Sequence, residues 1–132
     1  MSPFPRNVIL LVLVLFITSK TTNAWTILRR HVTVTIKNNL ETKVDLKVHC
    51  KSADDDLGEH VIRPSENYEF KFSTTYFYRE TLFFCGFTFS NQFQWFDIYK
   101  QNTDECRHCY WYVGEDGPCL DGTACLPWNP KE

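Results

Sequence analysis

The residues best equipped for covalent chemistry are six cysteines: Cys50, Cys85, Cys106, Cys109, Cys119 and Cys125. Two of them make a Cys-x-x-Cys step, Cys106-Arg107-His108-Cys109. A redox-active pair of this kind needs a thiolate held at a helix N-terminus, usually after a strand of a βαβ unit. Here the step leads instead into an alternating run, with Cys109, Trp111 and Val113 against His108, Tyr110 and Tyr112, which reads as a strand. Zinc could draw on these thiols with His108, His49 or His60, but the matching second ligand pair is absent. An even cysteine count in a small exported chain then reads as a disulfide framework. Cys119 and Cys125 are close enough in sequence to close a local loop. On that reading Cys50 and Cys85 bridge to Cys106 and Cys109, each cysteine tying a different strand or loop.

The next candidate is the acidic run Asp54-Asp55-Asp56 in the loop Lys51–Gly58. Clustered carboxylates could hold calcium, but the run lacks the alternating ligand spacing and downstream Glu of an EF-hand loop. It reads as a solvated loop or a partner-binding loop, with Asp55 or Asp56 capping the local turn and Gly58 at positive φ. Catalysis has no constellation: neither G-x-S-x-G nor H-E-x-x-H occurs, and the carboxylates cluster in loops. The histidines His31, His49, His60 and His108 are scattered through strands or their ends and read as surface or hydrogen-bonded groups. The expectation is a protein that is not an enzyme and carries no cofactor and no metal.

The elements that position these residues read as β throughout. Residues 8–17 (VILLVLVLFI) follow a basic start and precede small residues at Thr22 and Ala24, the pattern of a secretory signal peptide over residues 1–24. The apolar run is too short to span a bilayer, which takes roughly 20 residues, so the mature chain, 25–132, is expected not to insert in a membrane. Without Arg6 and Lys20 the basic count falls from 14 to 12 against 16 acidic residues, a net charge of about −4 with His neutral. That balance disfavours nucleic acid or anionic membrane as the main partner. No N-x-S/T acceptor occurs in the mature chain.

His31–Lys37 and Val44–Cys50 alternate apolar and polar residues around the turn-forming Asn38-Asn39, which suggests a hairpin or a slightly longer loop. Further strands are expected at Glu59–Arg63, Tyr68–Phe72, Leu82–Phe89, Phe93–Tyr99 and Cys109–Val113, with turns at Ser90-Asn91 and Gly114–Pro118 and one edge strand in the tail. Leu82–Phe89 (LFFCGFTF) is apolar on both faces and is expected to be central and well covered. About eight short strands at this spacing suggest an all-β, antiparallel β-sandwich stabilised by disulfides. The aromatics Phe83, Phe84, Phe87, Phe89, Phe93, Trp95, Phe96, Tyr110, Trp111 and Tyr112 read as its core, since each ring can bury about 150–250 Å². An exposed row of them would instead make a glycan-stacking platform.

Six blocks in order carry a resemblance: Val48-His49-Cys50-Lys51-Ser52, Asp54-Asp55-Asp56-Leu57-Gly58, Leu82-Phe83-Phe84-Cys85, Cys106-Arg107-His108-Cys109-Tyr110-Trp111, Gly117-Pro118-Cys119 and Cys125-Leu126-Pro127-Trp128-Asn129. Together, over 25–129, the chain resembles the plant self-incompatibility S-protein homologues. The resemblance implies a small, secreted, disulfide-bonded β-sandwich. The family's founding members are stigma-secreted ligands that trigger self-pollen rejection through a receptor on pollen. The expected function is therefore a monomeric extracellular ligand for a cell-surface receptor protein, in pollen–pistil recognition or another cell–cell exchange. A wall-associated glycan-binding or defence protein is the alternative. The expected contacts lie in loops, which can vary while strands must pack: Asp54, Asp55, Asp56 and Glu59; Tyr76, Tyr78 and Arg79; Asn102, Asp104 and Glu105; Glu115 and Asp116.

Overall fold

The computed structural model describes residues 29–75, 80–121, 123 and 125–131. The expected signal segment, and Tyr76, Tyr78 and Arg79, lie outside the described residues. Among the described residues eight strands form: β1 (Arg29–Asn38), β2 (Leu46–Lys51), β3 (Asp56–Ile62), β4 (Asn67–Thr75), β5 (Leu82–Phe89), β6 (Gln92–Lys100), β7 (His108–Gly114) and β8 (Gly117–Leu120). They make two four-stranded sheets, ordered β4-β1-β7-β8 and β3-β2-β5-β6. The all-β sandwich expected from the alternation is thus the architecture observed.

Period-two patterning sets which residues face inward. Val32, Val34 and Ile36 of β1 meet Leu46, Val48 and Cys50 of β2 and Phe83, Cys85 and Phe87 of β5 in one buried core. Phe96, Ile98 and Tyr99 of β6 and Cys109, Trp111 and Val113 of β7 complete it. The rings interlock: Phe96 meets Trp111 edge-on at 5.2 Å, and Phe72 meets Tyr99 edge-on at 5.0 Å, arrangements that suit the aromatic quadrupole.

The turns follow residue chemistry. Ser90 and Asn91 both take positive φ, 49° and 61°, as a two-residue hairpin between β5 and β6 requires. Glu115-Asp116 close the β7–β8 hairpin, with Gly114 paired to Gly117. Opposite Cys50, β3 inserts an extra residue between its pairings at Asp56 and Glu59, and Gly58 lies at φ 77°. Such a bulge, with glycine in the left-handed region, bends the strand end and aims the acidic loop.

Three expectations need correction. β1 and β2 are not a hairpin. They lie in different sheets, because residues 39–45 cross between the layers and β1 is taken up by β4 on one side and β7 on the other. The sheets are also not wholly antiparallel: β1 and β7 run parallel, from Thr33 with His108 to Asn38 with Val113. Both strands start at the same end of the sandwich, and the long chain between them supplies the crossover a parallel pair needs. Finally, β5 is central but covered on one face only. Phe83, Cys85, Phe87 and Phe89 point inward, whereas Leu82 and Phe84 remain 40% and 39% exposed.

The disulfide pairing is corrected too. Cys119–Cys125 closes the expected local loop, but Cys50 pairs with Cys85, and Cys106 pairs with Cys109. Cys50 and Cys85 are directly opposed on the neighbouring strands β2 and β5, both fully buried. Register brings these two thiols together before either could reach β7 in the other sheet.

Candidate recognition surfaces

The pairing directions sort every connection to one of two ends. Among the described residues, 39–45, 63–66, 90–91 and 115–116 lie at the Asn38 end; 52–55, 80–81 and 101–107 lie at the Arg29 end. Six of the nine expected contact residues that are described therefore lie at the Arg29 end: Asp54, Asp55 and Asp56 with Asn102, Asp104 and Glu105. Glu115 and Asp116 lie at the opposite end. Glu59 sits within β3, with Lys47 Nζ 3.6 Å from its carboxylate.

The acidic loop is a tight turn. Ser52 N–H donates to the Asp55 carbonyl at 2.8 Å, and Asp55 N–H donates to Ser52 Oγ at 3.1 Å. Asp54 and Asp55 are exposed. Asp56 is exposed but engaged: its Oδ1 lies 2.5 Å from His49 Nε2 and accepts Gly58 N–H at 2.9 Å, and Lys51 Nζ is 4.0 Å from Oδ2. A carboxylate can only accept, so the His49 nitrogen facing it carries the proton. The His49 hydrogen bond, with that of Gly58, holds the Asp56 carboxyl below the usual aspartate range. This is the turn cap expected of Asp55 or Asp56, made by Asp56.

The connection 101–107 is stitched to its neighbours. Gln101 N–H donates to the Thr81 carbonyl at 3.0 Å, and Thr81 N–H returns to Gln101 Oε1 at 2.8 Å. Asn102 N–H donates to Glu80 Oε1 at 2.9 Å. The Arg30 guanidinium donates to the Glu105 carbonyl, and Thr33 N–H donates to the Arg107 carbonyl at 2.8 Å. Asp104 folds back onto Lys100, its Oδ2 accepting Lys100 N–H at 2.6 Å. Burial raises the Asp104 pKa against the opposing effect of that bond. The Cys106–Cys109 bridge anchors the far end of this connection to β7.

At the Asn38 end, two residues do work that the sequence did not announce. Asn38 is 1% exposed, and its amide nitrogen donates to the Val44 and Ile62 carbonyls, both at 2.9 Å. Its Oδ1 accepts Leu40 N–H at 3.1 Å. It thereby pins the crossing loop to β3. Glu115 accepts Glu41 N–H at 2.9 Å, Thr42 N–H at 3.1 Å and Thr42 Oγ1 at 2.8 Å. These bonds, the Glu41 amide first, lower its pKa, and the Trp128 indole donates to its carbonyl at 2.9 Å. Glu115 is therefore a clamp joining the β7–β8 turn, the β1–β2 crossing and the tail. Asp116 remains exposed at the hairpin tip.

The histidines are each held by a partner. His31 bonds Ser73 Oγ at 3.0 Å, His60 bonds the Leu57 carbonyl at 2.9 Å and stacks on Tyr68 at 4.2 Å, and His108 meets Thr35 Oγ1 at 3.1 Å. Among the described residues, no group of three or more His, Cys, Asp or Glu side chains is placed to hold a metal ion.

These features define a small two-sheet sandwich locked by three disulfides. The family model for plant self-incompatibility protein S1 matches residues 33–129, and the chain belongs to that family. S-protein homolog 29 of Arabidopsis thaliana is 38% identical over 104 residues, spanning 73% of this chain and 76% of its own. S-protein homolog 4 is 40% identical over 117 residues (80% and 76%), and S-protein homolog 5 is 43% identical over 101 residues (74% and 78%), both from the same plant. A solved self-incompatibility protein homologue shares the fold, with a TM-score of 0.57 and 18% identity over 76% of this chain and 96% of that one. It is described as one of a widespread family of small, highly stable, secreted plant proteins. The three bridges of this chain suit an oxidising exterior.

Proposed function

We propose that this protein is an extracellular, non-catalytic ligand, exported by a signal segment at 1–24 and recognised as a monomer by a cell-surface receptor protein. Contact is made through the Arg29 end. The observation that carries this reading is the placement of two connections, 52–55 and 101–107, at the same end of a disulfide-locked frame, with Asp54 and Asp55 exposed. A rigid frame reduces the entropy lost on binding, and an acidic rim favours a receptor with a basic surface. Family membership supports a role in pollen–pistil recognition or a related exchange between plant cells.

The test is binding of tagged, secreted protein to plant cell surfaces with Asp54 and Asp55 both reversed to Lys and Asp56 left in place, since Asp56 holds the turn. The expected result is a weaker, less salt-dependent association with the fold unchanged by circular dichroism. Unchanged affinity would remove this loop from the contact.

A further inference from the structure

The outer face of the β3-β2-β5-β6 sheet is out of keeping with the rest of the surface. The described residues contain five exposed large hydrophobics, and four of them, Val61, Leu82, Phe84 and Phe93, lie on this face. That concentration marks a patch, because exposed apolar residues scattered singly need no explanation while clustered ones do. Its floor is Gly86, and its walls are the rings of Phe84, Phe93 and Trp95 around a shallow concavity of about 600 Å³. Phe93 is 55% exposed and turns a ring edge toward the glycine, where an added Cβ would come within 2.7 Å of it. Phe93 and Trp95 are two residues apart on β6, so their side chains leave the same face about 7 Å apart.

The rim is polar: His49 and Lys51 from β2, Asp97 from β6. Its charges are already matched. Lys51 and His49 both face Asp56, and Lys100 Nζ lies 3.4 Å from Asp97. A wholly apolar occupant would strip water from these groups and return no hydrogen bonds. An acidic or basic polymer would find no net opposite charge. The surface calls for an uncharged molecule with flat C–H faces for the rings and hydroxyls at its edge for His49, Lys51 and Asp97. We propose that this face binds a neutral saccharide, its sugar rings stacked on Phe84, Phe93 and Trp95 and its hydroxyls bonded to the rim. The site borders the Arg29-end contact at Lys51 but does not depend on it.

The experiment titrates isotope-labelled secreted protein with neutral cello-, xylo- and manno-oligosaccharides and, in a second arm, with acidic oligogalacturonate, following backbone amides by NMR. The expected result is saturable shifts for at least one neutral oligosaccharide, centred on residues 84–86 and 93–97, weakened at least tenfold in Phe93→Ser and in Trp95→Ala. Phe93 is half in solvent, so Phe93→Ser is expected to keep the wild-type melting temperature and serve as the folded control. No saturation with any neutral oligosaccharide at millimolar concentration would overturn the proposal. So would shifts mapping elsewhere, a preference for oligogalacturonate, or concentration-dependent self-association that buries these same amides.

Discussion

Replacing each disulfide in turn by a pair of alanines separates the bridge that holds the fold from the bridge that holds a surface. The bridges span 35, 3 and 6 residues of sequence separation, for Cys50–Cys85, Cys106–Cys109 and Cys119–Cys125. In the loop-closure model the restraint on the unfolded chain is worth about 3.8 kcal/mol for the first, about 1.9 for the second and about 2.4 for the third. Cys50 and Cys85 are also fully buried between β2 and β5, so their removal opens a core cavity. Cys106 is only half-buried. The expected order of destabilisation puts Cys50–Cys85 first, ahead of Cys106–Cys109 by about 2 kcal/mol or more.

The assay is guanidinium unfolding followed by near-UV circular dichroism, read as midpoint and slope. Hydrogen exchange adds a second readout. Loss of Cys106–Cys109 is expected to speed exchange at residues 101–107 and leave β2 and β5 protected, because the bridge closes a local turn and not a path across the sheet. Equal destabilisation by the two pairs, or exchange spreading into β5 when Cys106–Cys109 is removed, would refute the assignment of global and local roles.

Asn38→Ala removes three hydrogen bonds at a buried site and is expected to destabilise the fold by about 3 kcal/mol; a loss under about 1 kcal/mol in denaturant titration would mean the crossing loop is held by something else. Gly117→Ala forces a side chain onto the Leu126 carbonyl oxygen from a backbone at φ 144°, so the tail should detach from β8, read as faster exchange at Leu126 and a lower melting temperature. Asp56 has a lowered pKa in the folded state, so its stabilising effect is present above the unfolded aspartate value and fades as pH falls below about 4. An NMR titration of its carboxyl is expected to give a midpoint below that of a free aspartate, moving up in His49→Phe; a midpoint at or above the free value contradicts the pairing.

The strands were legible because alternation is a local property: Val32, Val34 and Ile36 announce an inward face whichever partner they find. Partner choice was not legible. Nothing in Val44–Cys50 says that it belongs to the other sheet from β1, because the deciding contact is Asn38 reaching across to Val44 and Ile62. An Asn next to a second Asn reads as a turn, and only burial shows it to be a pin. The cysteine pairing failed for the same reason, since it depends on β2 and β5 being neighbours. Asp54–Gly58 was legible as a capped turn with glycine at positive φ. Glu115 looked like an exposed loop acid because its three hydrogen bonds come from residues more than 70 positions away.

The two proposed surfaces meet at one residue, and that gives a sharper test than either alone. Lys51 lines the aromatic concavity and also approaches Asp56 at the edge of the acidic loop. Trp95 lies on β6, two strands beyond β2, which places it about 10 Å across the sheet. Changes at Trp95 and at Asp54 with Asp55 should therefore add independently. Trp95→Ala is expected to leave attachment to cells intact in saccharide-free medium, and the Asp54/Asp55 reversal to leave oligosaccharide affinity intact. Lys51→Ala should affect both, by removing a rim donor from the one and a counter-charge from the other. If Trp95→Ala and the Asp54/Asp55 reversal each abolish both activities in folded protein, the face and the loop are parts of a single site, and the division drawn between them fails.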